Sequence, residues 1–172
     1  MKIQTTHKII NKQKNSKLCF VCGLKNPLGL KAQFYVSETQ ELIAIFKPDE
    51  MHQSYPGRLH GGIASTTLDE TIGRTILNHY EYEVWGVTIE LNVKFRKPIE
   101  LGQELKVIGR ITKDEKRIFE GTGEIILPDG EIAVEAHGKY LKVPLEKITV
   151  FDPEEYEWRV VKSENDPTEI LI

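Results

Sequence analysis

The sequence predicts an α+β fold in which one long helix lies against an antiparallel sheet. Three observations carry this. Ala64, Leu68, Ile72 and Ile76 recur every fourth residue with Ile63 and Leu77 alongside, the stripe of an amphipathic helix. Val87, Ile89, Leu91, Val93 and Phe95 alternate with Thr88, Glu90, Asn92, Lys94 and Arg96, the period of a strand. The β-type runs that follow are long and joined by short turns, which imposes antiparallel pairing, and the helix must cover one face of the sheet they form. At 172 residues, 40% of them hydrophobic, the chain suits one domain with a sizeable core.

In chain order, residues 1–18 are polar and basic and are expected to be a flexible N-terminal segment. "CFVCGLKNPLGL" is dense in Gly and Pro and reads as a structured turn region. Residues 31–37 and 41–47 are short β-type runs around Glu38-Thr39-Gln40 and read as a hairpin. A loop over 48–59 holds Pro48, Pro56 and Gly57, and the helix is expected over 60–79. Its first turns are small (Gly61, Gly62, Ala64, Ser65, Thr66, Thr67), which points to close backbone approach to a sheet, a partner or a ligand, since Gly inside a helix is costly. After the alternating strand, Leu105, Val107, Gly109 and Ile111 continue in a fourth strand, "KDEK" turns the chain, and residues 117–127 form a fifth. Pro128-Asp129-Gly130 is a turn signal, and residues 131–143 form the sixth strand. Residues 19–143 thus make the domain. Residues 144–172 form an acidic C-terminal extension whose Tyr156 and Trp158 suit docking.

A net charge of −3 and a pI of about 6.0 argue against a general nucleic-acid binder. No apolar run approaches the roughly 20 residues that span a bilayer, and the basic N-terminus lacks the apolar core of a signal peptide, so no membrane partner and a cytoplasmic location are expected. Cys19-Phe20-Val21-Cys22 has the spacing of half a zinc site. Its natural complement would be a second close pair, and His7, His52, His60, His79 and His137 are scattered. The cysteines therefore read as reduced thiols in a turn, and no metal or other cofactor is expected.

The helix carries the chemistry. Its first N–H groups have no internal partner and sit at the positive end of the dipole, and Gly61 and Gly62 leave them uncovered, with His60 just before. Such a terminus suits an anion or a developing oxyanion, although a plain helix start has the same free donors. Asp69 and Glu70 occupy adjacent helical positions, so their side chains diverge by about 100° and cannot share one target. A carboxylate in mid-helix beside Leu68 is costly unless paired or functional. Gly61 and Asp69 are eight residues apart, roughly 12 Å along the axis. An oxyanion donor and a base or nucleophile must both reach within about 3 Å of one reacting group. One helix cannot easily supply both, whereas two antiparallel copies can. If both residues are catalytic, the site belongs at a dimer interface.

At this point the sequence resembles the hotdog-fold acyl-CoA thioesterases of the PaaI-like, or 4-hydroxybenzoyl-CoA thioesterase-like, superfamily. The resemblance covers residues 19–143 and rests on "CFVCGLKNPLGL", "HQSYPGRLHGG", "HGGIASTTLDETIG" and "VTIELNVKFRKPIELGQEL". It implies a hotdog fold, an antiparallel sheet wrapped around one long central helix, and assembly as a homodimer or a dimer of dimers. By position, it implies that Asp69 is the catalytic carboxylate, nucleophile or general base, with Glu70 the extra acid of the "LDE" variant. Gly61 takes the place of the donor that polarises the thioester carbonyl, next to His60 and Gly62. Gln53 or Ser54 fills that of a polar contact to the substrate carbonyl. Thr88 matches a hydroxyl that positions water, and Arg96 and Lys97 lie where the CoA phosphates are met, a chemistry suited to cations. Thr88 could equally be a plain β-former, and Arg96 and Lys97 solvated surface cations. The implied activity is hydrolysis of acyl-CoA thioesters. A non-catalytic acyl-CoA-binding protein, a hotdog dehydratase acting on hydroxyacyl thioesters, and a hotdog protein with a degenerate site are the alternatives.

Overall fold

The computed structural model describes residues 4–172. Its elements are β1 (Thr6–Lys12), β2 (Gln33–Ser37), β3 (Leu42–Phe46), α1 (Gly61–Arg74), β4 (Val84–Phe95), β5 (Leu105–Asp114), β6 (Ile118–Ile126), β7 (Ile132–Pro144) and β8 (Glu169–Leu171), with short 3-10 turns between some of them. The strands form one sheet in the order β4-β7-β6-β5-β3-β2-β1-β8, and its pairings are antiparallel. The turns follow their sequence signals. Gly130 adopts a φ of 80° after Pro128-Asp129, and its N–H closes on the Leu127 carbonyl between β6 and β7.

Helix α1 lies on one face of the sheet. Leu68, Ile72 and Ile76 are completely buried, packed in one core with Phe34, Leu42, Leu105, Val107, Phe119 and Ile125. Helix and sheet sit close because small residues meet there: a Cβ added to Gly121 of β6 would lie 2.6 Å from Ile72 Cγ2. The helix's own hydroxyls are absorbed locally. Ser65, Thr66, Thr67 and Thr71 each donate to the carbonyl four residues back, at 2.7 to 3.0 Å, so Thr67 and Thr71 can be buried without stranding a donor. A second cluster (Tyr35, Ile43, Ile108, Ile126) occupies the other face and is joined by Ile170 of β8.

Three expectations change. The N-terminal segment, expected to be flexible, contains β1, whose residues pair with β2 on one side and β8 on the other; residues 1–3 lie outside the described residues. Pairing at both edges satisfies its backbone groups, and polar side chains do not prevent that. The helix expected over 60–79 is α-helical as far as Arg74 and then tightens into a 3-10 turn, Thr75–Asn78. The alternating strand begins earlier, at Val84, and its alternation is interrupted: the register against β7 shifts between Thr88 and Glu90. The extra residue, Ile89, flips the phase. Gly86 and Thr88 face the helix before the bulge, and Leu91, Val93 and Phe95 face it afterwards. Val87 and Ile89 are left 39% and 56% exposed on the free edge of the sheet. The C-terminal extension docks, through one of the two aromatic residues that suited it to do so. Trp158 is buried against Trp85, with ring centroids 5.2 Å apart, and over the Arg74 guanidinium. Among the described residues no helix is long and apolar enough to cross a membrane.

Candidate active site

Two pockets open along helix α1, one at each end, with no lining residue in common. The acid pocket, about 80 Å³, is lined by Asp69, Glu70, Gly73, Arg74, Thr88 and Tyr140, among others. Thr88 and Tyr140 are direct cross-strand partners on β4 and β7, and both side chains reach Asp69. Thr88 Oγ1–H donates to Asp69 Oδ1 at 2.8 Å, and Tyr140 O–H donates to the same oxygen at 3.1 Å. Asp69 Oδ2 has no partner among the described residues. One carboxylate oxygen is thus fixed by two hydroxyls, and the other is left to accept a proton. The single proton of Thr88 is spent on Asp69, and its oxygen keeps lone pairs that can accept from a water.

Tyr140 was not anticipated. It is fully buried and stacks on Phe119 at 4.9 Å between centroids. The ring lies down over Gly138, where a Cβ would come within 2.5 Å of it. Burial and the neighbouring Asp69 carboxylate both push the phenol above its usual range, so it remains a hydrogen-bond donor. Replacing Tyr140 by Phe removes one of two donors to the carboxylate while keeping the stacked ring. A hydrogen bond to a charged group contributes about 1.5–3 kcal/mol, so kcat is expected to fall about tenfold to a hundredfold, with KM little changed. Steady-state kinetics check this split; a change confined to KM would place Tyr140 in substrate binding.

Glu70, the neighbouring acid, also lines this pocket, but its carboxylate is directed toward Cys19 and Arg74, in keeping with the 100° step of a helix. Its Oε1 lies 4.0 Å from Cys19 Sγ and 3.7 Å from Arg74 Nε. Burial pushes its carboxyl up to about 7, partly opposed by Arg74.

The donor pocket, about 280 Å³, is lined by Gly61, Ala64, Phe95, Arg96, Lys97 and Val134, among others. His60 caps the helix: its Nδ1 accepts from the Gly62 N–H at 2.9 Å. That leaves the Gly61 N–H, which makes no hydrogen bond among the described residues. Gly61 is therefore the free donor at this end, whereas Gly62 is committed to the cap. Arg96 pairs with Glu135 at 2.7 Å and Lys97 with Glu131, both at the exposed rim. Gln53 and Ser54 are not brought to either pocket. The Gln53 side chain turns back to accept from the Gly57 N–H at 3.3 Å, and it lines a separate cavity beside Pro48 and Gly102. Ser54 is exposed in the same loop, its N–H bonded to the Arg58 carbonyl. The tight 53–59 turn, closed by a bridge from Gln53 to Leu59, directs both side chains outward.

Residues 56–134 match the family model of the thioesterase superfamily. A mouse acyl-coenzyme A thioesterase 13 is 30% identical over 79 residues, which is 46% of this chain and 56% of the relative. A mouse acyl-coenzyme A thioesterase THEM4 is 26% identical over 130 residues, 74% of this chain and 55% of the relative. The chain thus spans little more than half the length of these curated relatives. Among solved structures, a Streptococcus pneumoniae hypothetical thioesterase with coenzyme A superposes with a TM-score of 0.56 at 18% identity, covering 60% of this chain and 82% of that one. At that identity the likeness establishes the hotdog fold.

Proposed function

We propose that this chain, whose residues 56–134 match the thioesterase superfamily model, is a member of that superfamily and hydrolyses acyl-CoA thioesters to a free acid and CoA at a site shared between two subunits. The observation that carries this reading is the Asp69 carboxylate, held at Oδ1 by Thr88 and Tyr140 with Oδ2 unpartnered. That arrangement suits a general base. Asp69 Oδ2 takes a proton from water as the water oxygen adds to the thioester carbonyl. The carbonyl electrons move to oxygen, where the Gly61 N–H at the positive end of α1 stabilises them. The oxyanion then collapses, the C–S bond breaks, and CoA leaves as a thiolate, which is protonated. No step calls for a redox cofactor or a metal at the reacting carbon. Arg96 and Lys97 receive the CoA phosphates by exchanging their exposed carboxylate partners, which hold them weakly.

The assembly follows from the same geometry. Gly61 and Asp69 open into different pockets of one chain, so a complete site needs Gly61 of one copy beside Asp69 of another. Support for a second copy comes from β4, a 12-residue strand at the end of the sheet with Val87 and Ile89 exposed, since a long apolar edge is a template for pairing. A homodimer, or a dimer of such dimers, satisfies it. The two free thiols fit a reducing, cytosolic setting.

A panel of acyl-CoAs, followed by release of free CoA thiol, tests the activity. The expected result is catalytic thiol release that depends on Asp69. Tight binding without release would make the protein an acyl-CoA sensor, and loss of water from hydroxyacyl-CoA would make it a dehydratase.

A further inference from the structure

Beside the acid pocket, and sharing Glu70 with its lining, lies a cluster that the proposed hydrolysis does not use. Residues 19–23 wind into one tight turn, with the Gly23 N–H donating to the Cys19 carbonyl at 2.8 Å. This brings both sulfurs to one side, where the Cys22 N–H donates to Cys19 Sγ at 3.3 Å. Glu70 of α1 meets them there. Cys19 Sγ, Cys22 Sγ and a Glu70 carboxylate oxygen all lie within 4.8 Å of one another, with Cys22 buried and the other two partly so. Around a tetrahedral zinc, thiolate and carboxylate ligands stand about 3.5–3.8 Å from each other, so side-chain adjustments of about an ångström would close the set.

Charge supports the same reading. Two thiolates and a carboxylate sum to −3, and a divalent cation with the Arg74 guanidinium balances them. Neutrality matters in a partly buried cluster, where uncompensated charge is expensive. Arg74 is 4% exposed, its Nε is 3.7 Å from Glu70 Oε1, and its Nε and Nη1 have no hydrogen-bond partner among the described residues. A buried donor beside ligating groups is what holds a metal-bound carboxylate in place. We infer that Cys19, Cys22 and Glu70 form a binding site for a soft divalent cation of the zinc class, which ties the N-terminal cysteine turn to helix α1 next to Asp69. Sequence spacing offered half a zinc site and no second half, because the third ligand comes from the helix. The fourth position falls to solvent or to Ser16, whose Oγ is 3.3 Å from Cys22 Sγ.

The test needs no substrate and does not depend on the hydrolase reading. The full chain, reduced, stripped of metal and shown to carry two reactive thiols, is titrated with Co(II), and thiolate-to-cobalt absorption in the near ultraviolet is followed. The expected result is one equivalent bound with two thiolates, displaced stoichiometrically by Zn(II). Cys22→Ser is expected to abolish the two-thiolate signal, and Glu70→Gln to weaken Co(II) affinity tenfold or more. Reduced wild-type protein that shows no such absorption, or a folded Glu70→Gln variant with unchanged affinity, overturns the site.

Discussion

Asp69→Asn is expected to lower kcat by about 10³-fold, within the range that a positioned general base contributes, while leaving the fold intact. The separation of the two effects is physical. The Asn amide oxygen can still accept from Thr88 Oγ1 and Tyr140 O–H, the two donors that now hold Oδ1. The free oxygen becomes an NH₂ group, which cannot take a proton from water. Packing around Leu68 and Ile72 is untouched. Glu70→Gln is the comparison: that side chain faces Cys19 and Arg74, and turnover is expected to stay within about tenfold of the parent, since no proton acceptor at the carbonyl is lost. Thermal melts read alongside kinetics check both. A large loss in Glu70→Gln alone would move the working acid from Asp69 to Glu70, and equal losses in the two variants would implicate both.

Much of this arrangement can be read in the sequence because it depends on local periodicity. The four-residue spacing from Ala64 to Ile76 fixes the buried face of the helix, and the 100° step between Asp69 and Glu70 fixes their divergence. The rise per residue alone separates the donor end from the acid end, and the two pockets lie accordingly. What could not be read depends on pairing between distant segments. β1 is a polar heptapeptide whose partners include residues 169–171, so nothing near it in sequence marks it as a strand. Tyr140 stands on the inward phase of β7, as do other residues. Only the β4–β7 register, which sets it opposite Thr88, singles it out. The bulge at Ile89 is invisible to an alternation that looks regular over ten residues, and it decides which apolar side chains of β4 line the helix and which are left outside. Glu70 and Cys19 are 51 residues apart, and spacing rules for metal ligands do not extend that far.

A site shared between two subunits would have a consequence that a site within one chain would not. Gly61 is the first residue of α1 and follows a capping residue in extended conformation, His60, with ψ 131°. Proline is well tolerated at that first helical position, and an extended residue before it is the conformation proline prefers. Gly61→Pro therefore removes the N–H and leaves the helix. Alone, this variant and Asp69→Asn should each be close to inactive, the former losing about 10²–10³-fold with its oxyanion donor. If each site takes Gly61 from one subunit and Asp69 from the other, a mixed dimer has one site with both defects and one with neither. Denaturing and refolding equal amounts together makes half the dimers mixed, so about a quarter of wild-type activity should return. Titrating the ratio should give a maximum at equality. A site contained in one chain predicts no recovery at any ratio, because no subunit in the mixture carries both an intact Gly61 and an intact Asp69. Recovery would also fix the direction of assembly: only an antiparallel approach of two α1 helices brings the donor pocket of one copy against the acid pocket of the other at both ends of the interface.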